Sequence, residues 1–145
     1  MLPQIPLSVP AVPTEAKVLI DGREVAFEAY NLDNNNYFKL RDLAMALRES
    51  GKPFAVKWDG ESGAIRLETG KTYTPVGGEL AASGKQGVKG AYSSLTKLVV
   101  DGREMLLTAY TIDGYTYFKL RDLAPALQLD VKWDGKANAI LIDTK

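Results

Sequence analysis

Apolar positions along this chain follow two periods. Leu40, Leu43, Ala44 and Leu47 fall at i, i+3, i+4 and i+7, the spacing of one apolar helical face, and Leu120, Leu123, Ala124 and Leu127 repeat it in the second half. Around each stripe the pattern changes to short apolar runs punctuated by turn residues, as strands require. Val18-Leu19-Ile20 and Glu24 to Tyr30 flank Asp21-Gly22, and Asp101-Gly102 holds the same place later. Asp-Gly between two apolar runs predicts a hairpin, because a type I′ turn needs positive φ at both central residues. A second turn, Asp33-Asn34-Asn35-Asn36, leads into a strand from Asn36 to Lys39, with Asp113-Gly114-Tyr115-Thr116 as its counterpart. Beyond the helix come Phe54 to Trp58, the turn Asp59-Gly60-Glu61-Ser62-Gly63 and Ala64 to Glu68. The second half answers with Val131-Lys132-Trp133-Asp134-Gly135 and Ala139 to Asp143.

The chain is therefore a tandem duplication, and Tyr37-Phe38-Lys39-Leu40-Arg41-Asp42-Leu43-Ala44 returns letter for letter from Tyr117 to Ala124. The pattern divides it into an arm over 1–16, a first repeat over 17–69, a linker over 70–96 and a second repeat over 97–145. Each repeat holds a hairpin, a strand, a helix and a closing hairpin, so each is expected to wrap its own helix without borrowing strands, as two compact units packed together. The arm carries Pro3, Pro6, Pro10 and Pro13, which forbid a helix and favour extended backbone. It reads as an interdomain linker or, given its aliphatics, as an arm docked on the body. The linker is rich in glycine, with Tyr73-Thr74-Pro75-Val76 as a candidate extra strand. Its Gly70-Lys71 and Gly84-Lys85 pairs lack the preceding Gly and following helix of a phosphate loop. Pro125 lies within the second helical pattern. With Asp122 as N-cap it would fall in the first turn, where no intrahelical donor is lost, and shorten that helix at its start.

Composition narrows the chemistry. The 145 residues are 46% hydrophobic and 25% charged, ordinary for a globular protein of one domain or two small ones. Lys plus Arg equal Asp plus Glu at 18 each, so no global field draws nucleic acid or an anionic membrane, and no basic run supplies a local one. There is no Cys and no His, which removes disulfides, thiolate chemistry, imidazole bases and the commonest transition-metal ligands. No segment approaches the length of a membrane span, and membrane insertion is not expected. The start has no positive n-region, which leaves a cytoplasmic protein, or an exported one whose leader was cut away and Met1 added.

The order of an Asp-Gly-Arg-Glu hairpin, Tyr-Phe-Lys-Leu-Arg-Asp-Leu-Ala, Val-Lys-Trp-Asp-Gly and a last strand resembles the copper amine oxidase N-terminal-like domain, a bacterial envelope module also called a stalk domain. The match covers about Lys17 to Thr69 and Lys97 to Thr144. The resemblance implies an α+β fold, each unit a curled antiparallel sheet around one short α-helix, in secreted or cell-surface proteins. It implies a non-catalytic spacer, docking or cell-wall interaction unit, and not an enzyme, with a protein or wall glycan as partner. The family's name is not an activity: copper amine oxidases react in a separate domain through a histidine-held copper, and this chain has no His. No cofactor is expected.

The candidate binding surface is aromatic. Trp58 and Trp133 each close a strand just before an Asp-Gly turn, and with Tyr37, Tyr115 and Tyr117 they are either core packing or a face that stacks on sugar rings or a partner. Alternation puts Phe38 and Leu40 on one face, so Phe38 is the core residue and Tyr37 the one expected outside. Arg41-Asp42 and Arg121-Asp122 read as structural, the Asp serving the helix start and the Arg stem covering strand surface. Asp33, Asp59, Asp113 and Asp134 sit at turns, and Asp59-Gly60-Glu61 has too few ligands for a calcium loop. No carboxylate pair is placed for hydrolysis, so no catalytic residue and no metal ligand is assigned. The measurable consequence is that calorimetric titration with copper should find no stoichiometric submicromolar site; one such site would overturn this reading.

Overall fold

The computed structural model describes residues 8–84 and 87–145. The first repeat contains β1 (Val9–Pro13), β2 (Lys17–Ile20), β3 (Arg23–Val25), β4 (Tyr30–Leu32), β5 (Asn35–Lys39), α1 (Leu40–Ala46), β6 (Phe54–Asp59) and β7 (Ala64–Thr69). The second contains β8 (Lys89–Val100), β9 (Arg103–Ile112), β10 (Tyr115–Lys119), α2 (Leu120–Leu127), β11 (Asp130–Asp134) and β12 (Ala139–Asp143). Both Asp-Gly turns form as expected, with φ of 51° and 84° at Asp21-Gly22 and 50° and 85° at Asp101-Gly102. Hairpins set by short turns all appear where the pattern put them.

Their partners are another matter. Strands β1, β4, β5, β10, β9 and β8 follow one another as hydrogen-bonded neighbours, and β1 also pairs with β8, which closes a six-stranded barrel. The rest of the chain hangs on that ring: β7 and β6 continue the sheet from β8, while β11, β12, β2 and β3 form a second sheet. The α+β expectation is therefore corrected, since the described residues are 51% strand and 11% helical around a closed barrel. The expectation of self-contained repeats fails too. β7 of the first repeat pairs in parallel with β8 of the second, Ile65 opposite Leu98, and β12 pairs in parallel with β2, Ile140 opposite Val18.

These pairings obey a local twofold. Phe38 stands opposite Phe118 where β5 meets β10, and Pro10 opposite Gly90 where β1 meets β8. Advancing both members of the Val9–Ala91 pair to their equivalents returns the Lys89–Ala11 pair of the same ladder. β1 is thus the equivalent of the first part of β8. The first repeat begins at Val9, within what read as an arm, and the linker ends before Lys89; Met1 to Leu7 lie outside the described residues. Proline density hid the strand, yet Pro10 and Pro13 are tolerable in a five-residue strand where the missing N–H costs few ladder bonds.

The ring has two cores. Ala11, Tyr30, Leu32, Tyr37, Ala91, Ile112 and Tyr117 form one cluster drawn from all six barrel strands, which makes it the barrel interior. Tyr30 meets Tyr117 edge-on at 5.4 Å and Tyr37 meets Tyr110 at 5.2 Å, each pair joining the two repeats. Phe38 and Phe118 face the other way, into the larger core beneath both helices with Leu43, Leu47, Leu123 and Leu127. Tyr37 and Tyr117 are therefore buried, against the expectation of exposure, because a closed sheet has no solvent face over this stretch. The helix starts are also corrected. Lys39 and Lys119 are the N-cap residues with no side-chain cap, α2 has eight residues against seven in α1, and Pro125 lies inside α2.

Two clasps fasten each repeat to the other. Asp21 Oδ1 and Oδ2 accept hydrogen bonds from Thr144 N at 2.8 Å and Thr144 Oγ1 at 2.6 Å. Asp101 takes Thr69 N at 2.9 Å and Thr69 Oγ1 at 2.6 Å in the equivalent way. The threonine hydroxyl and then its amide hold both carboxyls below the usual carboxylate range. A carboxyl depressed in the fold stabilises above its unfolded range, and that contribution disappears as pH falls through the folded value. Melting temperature should therefore drop on acidification below about pH 4, less so in the double variant Asp21→Ala/Asp101→Ala. Leu43→Ala and Leu123→Ala, both fully buried, should each cost about 2–5 kcal/mol. Because the repeats share cores and sheets, either change should shift one common transition, and two separate transitions by calorimetry would show independent halves.

Candidate functional site

The groove between α1 and the β6–β7 hairpin gathers groups from three parts of the chain. Trp58 and Val56 share one face of β6, with Ile65 opposite Trp58 on β7. The turn at Asp113-Gly114, φ 50° and 83°, brings Tyr115 of the other repeat to the far side. Lys39, Arg41 and Asp42 at the start of α1 lie between them, and residues 76–79 form the remaining wall of a cavity of about 450 Å³. Trp58 is 63% exposed and Tyr115 57%. Lys39 Nζ sits 4.4 Å from the Tyr115 ring centroid, a cation–π contact that fixes the lysine over the groove.

Asp42 is the unusual group. It is 3% exposed; its Oδ1 accepts the Leu80 amide at 2.9 Å, and among the described residues its Oδ2 has no hydrogen-bond partner, with Lys39 Nζ at 3.8 Å. Burial pushes its carboxyl up, against the pull of the Leu80 amide and of Lys39. Leu80 reaches it with φ of 63°, a left-handed conformation that costs a leucine of order 1 kcal/mol or more.

That leucine belongs to a strap. Residues 70–84 form no strand, so Tyr73 to Val76 are not the expected extra one; the segment crosses α1 instead, anchored by the buried Tyr73. Arg41 Nη1 donates to Tyr73 Oη at 3.2 Å, Tyr73 Oη donates to Glu79 Oε2 at 2.6 Å, and Arg48 Nε donates to the Tyr73 carbonyl at 3.0 Å. Glu79 also accepts the amides of Val76 at 2.7 Å and Gly77 at 2.8 Å. Further on, Ser83 N and Oγ donate to Glu28 at 2.7 and 2.6 Å.

The twofold generates a second groove of about 350 Å³ on the other repeat, where Leu120, Arg121, Val131, Lys132, Trp133 and Ile140 stand for their equivalents. Asn35 takes the place of Tyr115, with Asn31, Asn34 and Asn36 beside it, and no strap residue lines it. Trp133 is 53% exposed. In both repeats the indole lies over its own turn: a β-carbon added at Gly60 would stand 3.6 Å from Trp58 Nε1, and one at Gly135 3.4 Å from Trp133 Nε1.

Of the expected aromatic surface, the structure thus brings Trp58 and Tyr115 together, sets Trp133 in the related groove, and buries Tyr37 and Tyr117. The pattern missed Lys39, Asp42, Tyr73 and Glu79. Nothing local marks Asp42, whose motif is identical to that around Asp122; only the distant strap makes it differ. Two of the four turn carboxylates satisfy backbone donors as expected, Asp59 accepting the Glu61 amide at 3.1 Å and also Arg66 Nε at 3.0 Å, and Asp134 the Lys136 amide at 3.1 Å; Asp113 instead pairs with Lys89 Nζ at 3.6 Å. Among the described residues no group of three or more His, Cys, Asp or Glu is placed to hold a metal ion, and no helix is long and apolar enough to cross a membrane. Comparison with family models, with curated proteins and with solved structures gives no match.

The Tyr73 hydroxyl, then the Val76 amide, hold Glu79 down to about 2. Its bonds are present above the unfolded carboxylate range near pH 4 and are lost only as pH falls toward 2. In an NMR titration the Val76 and Gly77 amides should shift with a midpoint near pH 2, and a midpoint at 4.5 would show a carboxylate that does not hold the strap.

Proposed function

We propose that the protein is a non-catalytic docking module for a surface glycan, held in the groove under Trp58. The observation that carries this reading is the pairing of two exposed aromatic rings, Trp58 and Tyr115, with a buried carboxylate oxygen that lacks a donor. A pyranose fits this arrangement. Its C–H face packs on an aromatic ring, and its hydroxyls accept from Lys39 Nζ, which the buried Asp42 carboxylate 3.8 Å away helps to hold at the groove. Large aromatics left in water on a concave surface mark a binding site more often than a spacer does.

The electrostatics favour holding over reacting. Asp42, with its raised carboxyl, is the kind of group that serves as a general acid. Its neighbour Glu79 is committed to three hydrogen bonds and is held strongly acidic, which argues against a second, proton-accepting carboxylate. The resemblance of both repeats to an envelope stalk domain supports an extracellular or cell-surface setting, where wall polysaccharide is the abundant partner. Docking onto a protein through the same rings is the competing reading.

The test is depletion of the protein from solution by insoluble peptidoglycan, chitin and cellulose. Wild type should bind at least one, and Trp58→Ala should weaken that binding about tenfold, or about 1.4 kcal/mol, with the melting temperature unchanged because the indole is exposed. Asp42→Asn, which keeps the shape and alters the acceptor, should weaken it as well. Wild type that binds none of these polymers, or Trp58→Ala that binds as well as wild type, would sink the proposal.

A further inference from the structure

We infer that the chain exchanges repeats with a second copy of itself, the first repeat of one molecule closing on the second repeat of another. Every seam between the repeats has the form of an isologous dimer interface. β5 meets β10 with Phe38 opposite Phe118, β1 meets β8 with Pro10 opposite Gly90, and the β7–β8 and β12–β2 ladders are twofold mates. The tyrosine pairs and the Asp–Thr clasps follow the same symmetry. None of these contacts runs through the covalent connection, so the seam is equally satisfied by a repeat from another chain.

What selects the partner is the connection between Thr69 and Lys89. It must return along the twelve-residue β8, a distance of about 40 Å at about 3.3 Å per residue, and fully extended it reaches roughly 65 Å. Such a tether gives the attached repeat an effective concentration of about a millimolar. At micromolar protein the closed monomer prevails, and near a millimolar the exchanged dimer competes. The strap's hydrogen bonds with Arg41, Arg48, Asp42 and Glu28 all lie within the first repeat, so exchange redirects the chain after Ser83 and the reach available to it is shorter than that of the full connection.

Exchange preserves the grooves and doubles their number per particle. Trp58 and Tyr115 come from different repeats, so in the dimer each such groove takes Trp58 from one molecule and Tyr115 from its partner. Two grooves of this kind on one particle would raise avidity for a polymer without any new contact. The exchange rests on the seam alone and stands whether or not the ligand is a glycan.

The experiment refolds the full chain from denaturant at about millimolar concentration, dilutes it, and measures mass by light scattering. A species of doubled mass should persist, absent from protein refolded at micromolar concentration. Its architecture is read by co-refolding two single-cysteine chains, Thr69→Cys and Asp101→Cys, in a protein that has no cysteine of its own. Oxidation should cross-link one chain to the other at least tenfold more than when the two are mixed after folding. A 14N/15N mixture of the unaltered chain, refolded together and examined by native mass spectrometry, should show mixed dimers at the statistical share even if either cysteine variant folds poorly. Only monomer after millimolar refolding, or dimers that do not cross-link between these positions while both variants melt cooperatively, would overturn the inference.

Discussion

The structure depends on one antiparallel seam, β5 against β10, where the two copies of the same octapeptide meet on the local twofold. In a separated repeat each of these strands would be an edge, offering unpaired N–H and C=O groups to any other strand. Joining them removes both edges at once, and pairing β1 with β8 removes the next two. Closure then determines the interior. With no outer solvent face left over this stretch, Tyr37 and Tyr117 turn into the barrel, while Phe38 and Phe118 lie under the helices. A repeat of about 50 residues buries too little apolar surface to be comfortable alone. Sharing both cores between two repeats resolves that shortage without disulfides.

The parts of this fold legible in the sequence are those set within a few residues. Asp21-Gly22 and Asp101-Gly102 specify their hairpins through positive φ, and the Leu40 to Leu47 stripe specifies a helix and its buried face. Strand partners are not local properties. Val18 to Ile20 has the same pattern whether it pairs with its own closing strand or, as it does, with Ile140 and Ile142 of the other repeat. Parallel partners far apart in sequence carry no turn to announce them. The error at Tyr37 has the same origin, since alternation tells which residues share a face and not which face meets water. In the site, Trp58, Trp133 and Tyr115 were visible as aromatics beside turns. The burial of Asp42 was invisible because it comes from a strap nearly forty positions away.

That strap shows how identical sequence becomes unequal chemistry. Arg41-Asp42 and Arg121-Asp122 begin their helices in the same way, yet Asp42 is buried beneath Leu80 while Asp122 stays partly exposed. The two carboxylates at the strap are driven in opposite directions. Burial raises Asp42, and the Tyr73 hydroxyl with two amides lowers Glu79. One charge is left under-satisfied at the groove because the other satisfies the backbone that covers it.

Duplication explains why both can coexist. The frame needs the twofold, so the residues on the seams, Phe38 with Phe118 and the Asp–Thr clasps, must match between repeats for the barrel to close and the outer strands to dock. The groove floor shares Phe118 and Lys39 with the seam, but the rims lie outside that requirement and their residues are free to differ. Tyr115 answers to Asn35, and the strap covers one groove alone. One groove sets its ring beside Lys39 and a strap, the other among four amides and two cations, Arg121 and Lys132. The symmetric seam thus supplies stability once, and leaves two similar concavities whose rim residues vary without risk to the fold.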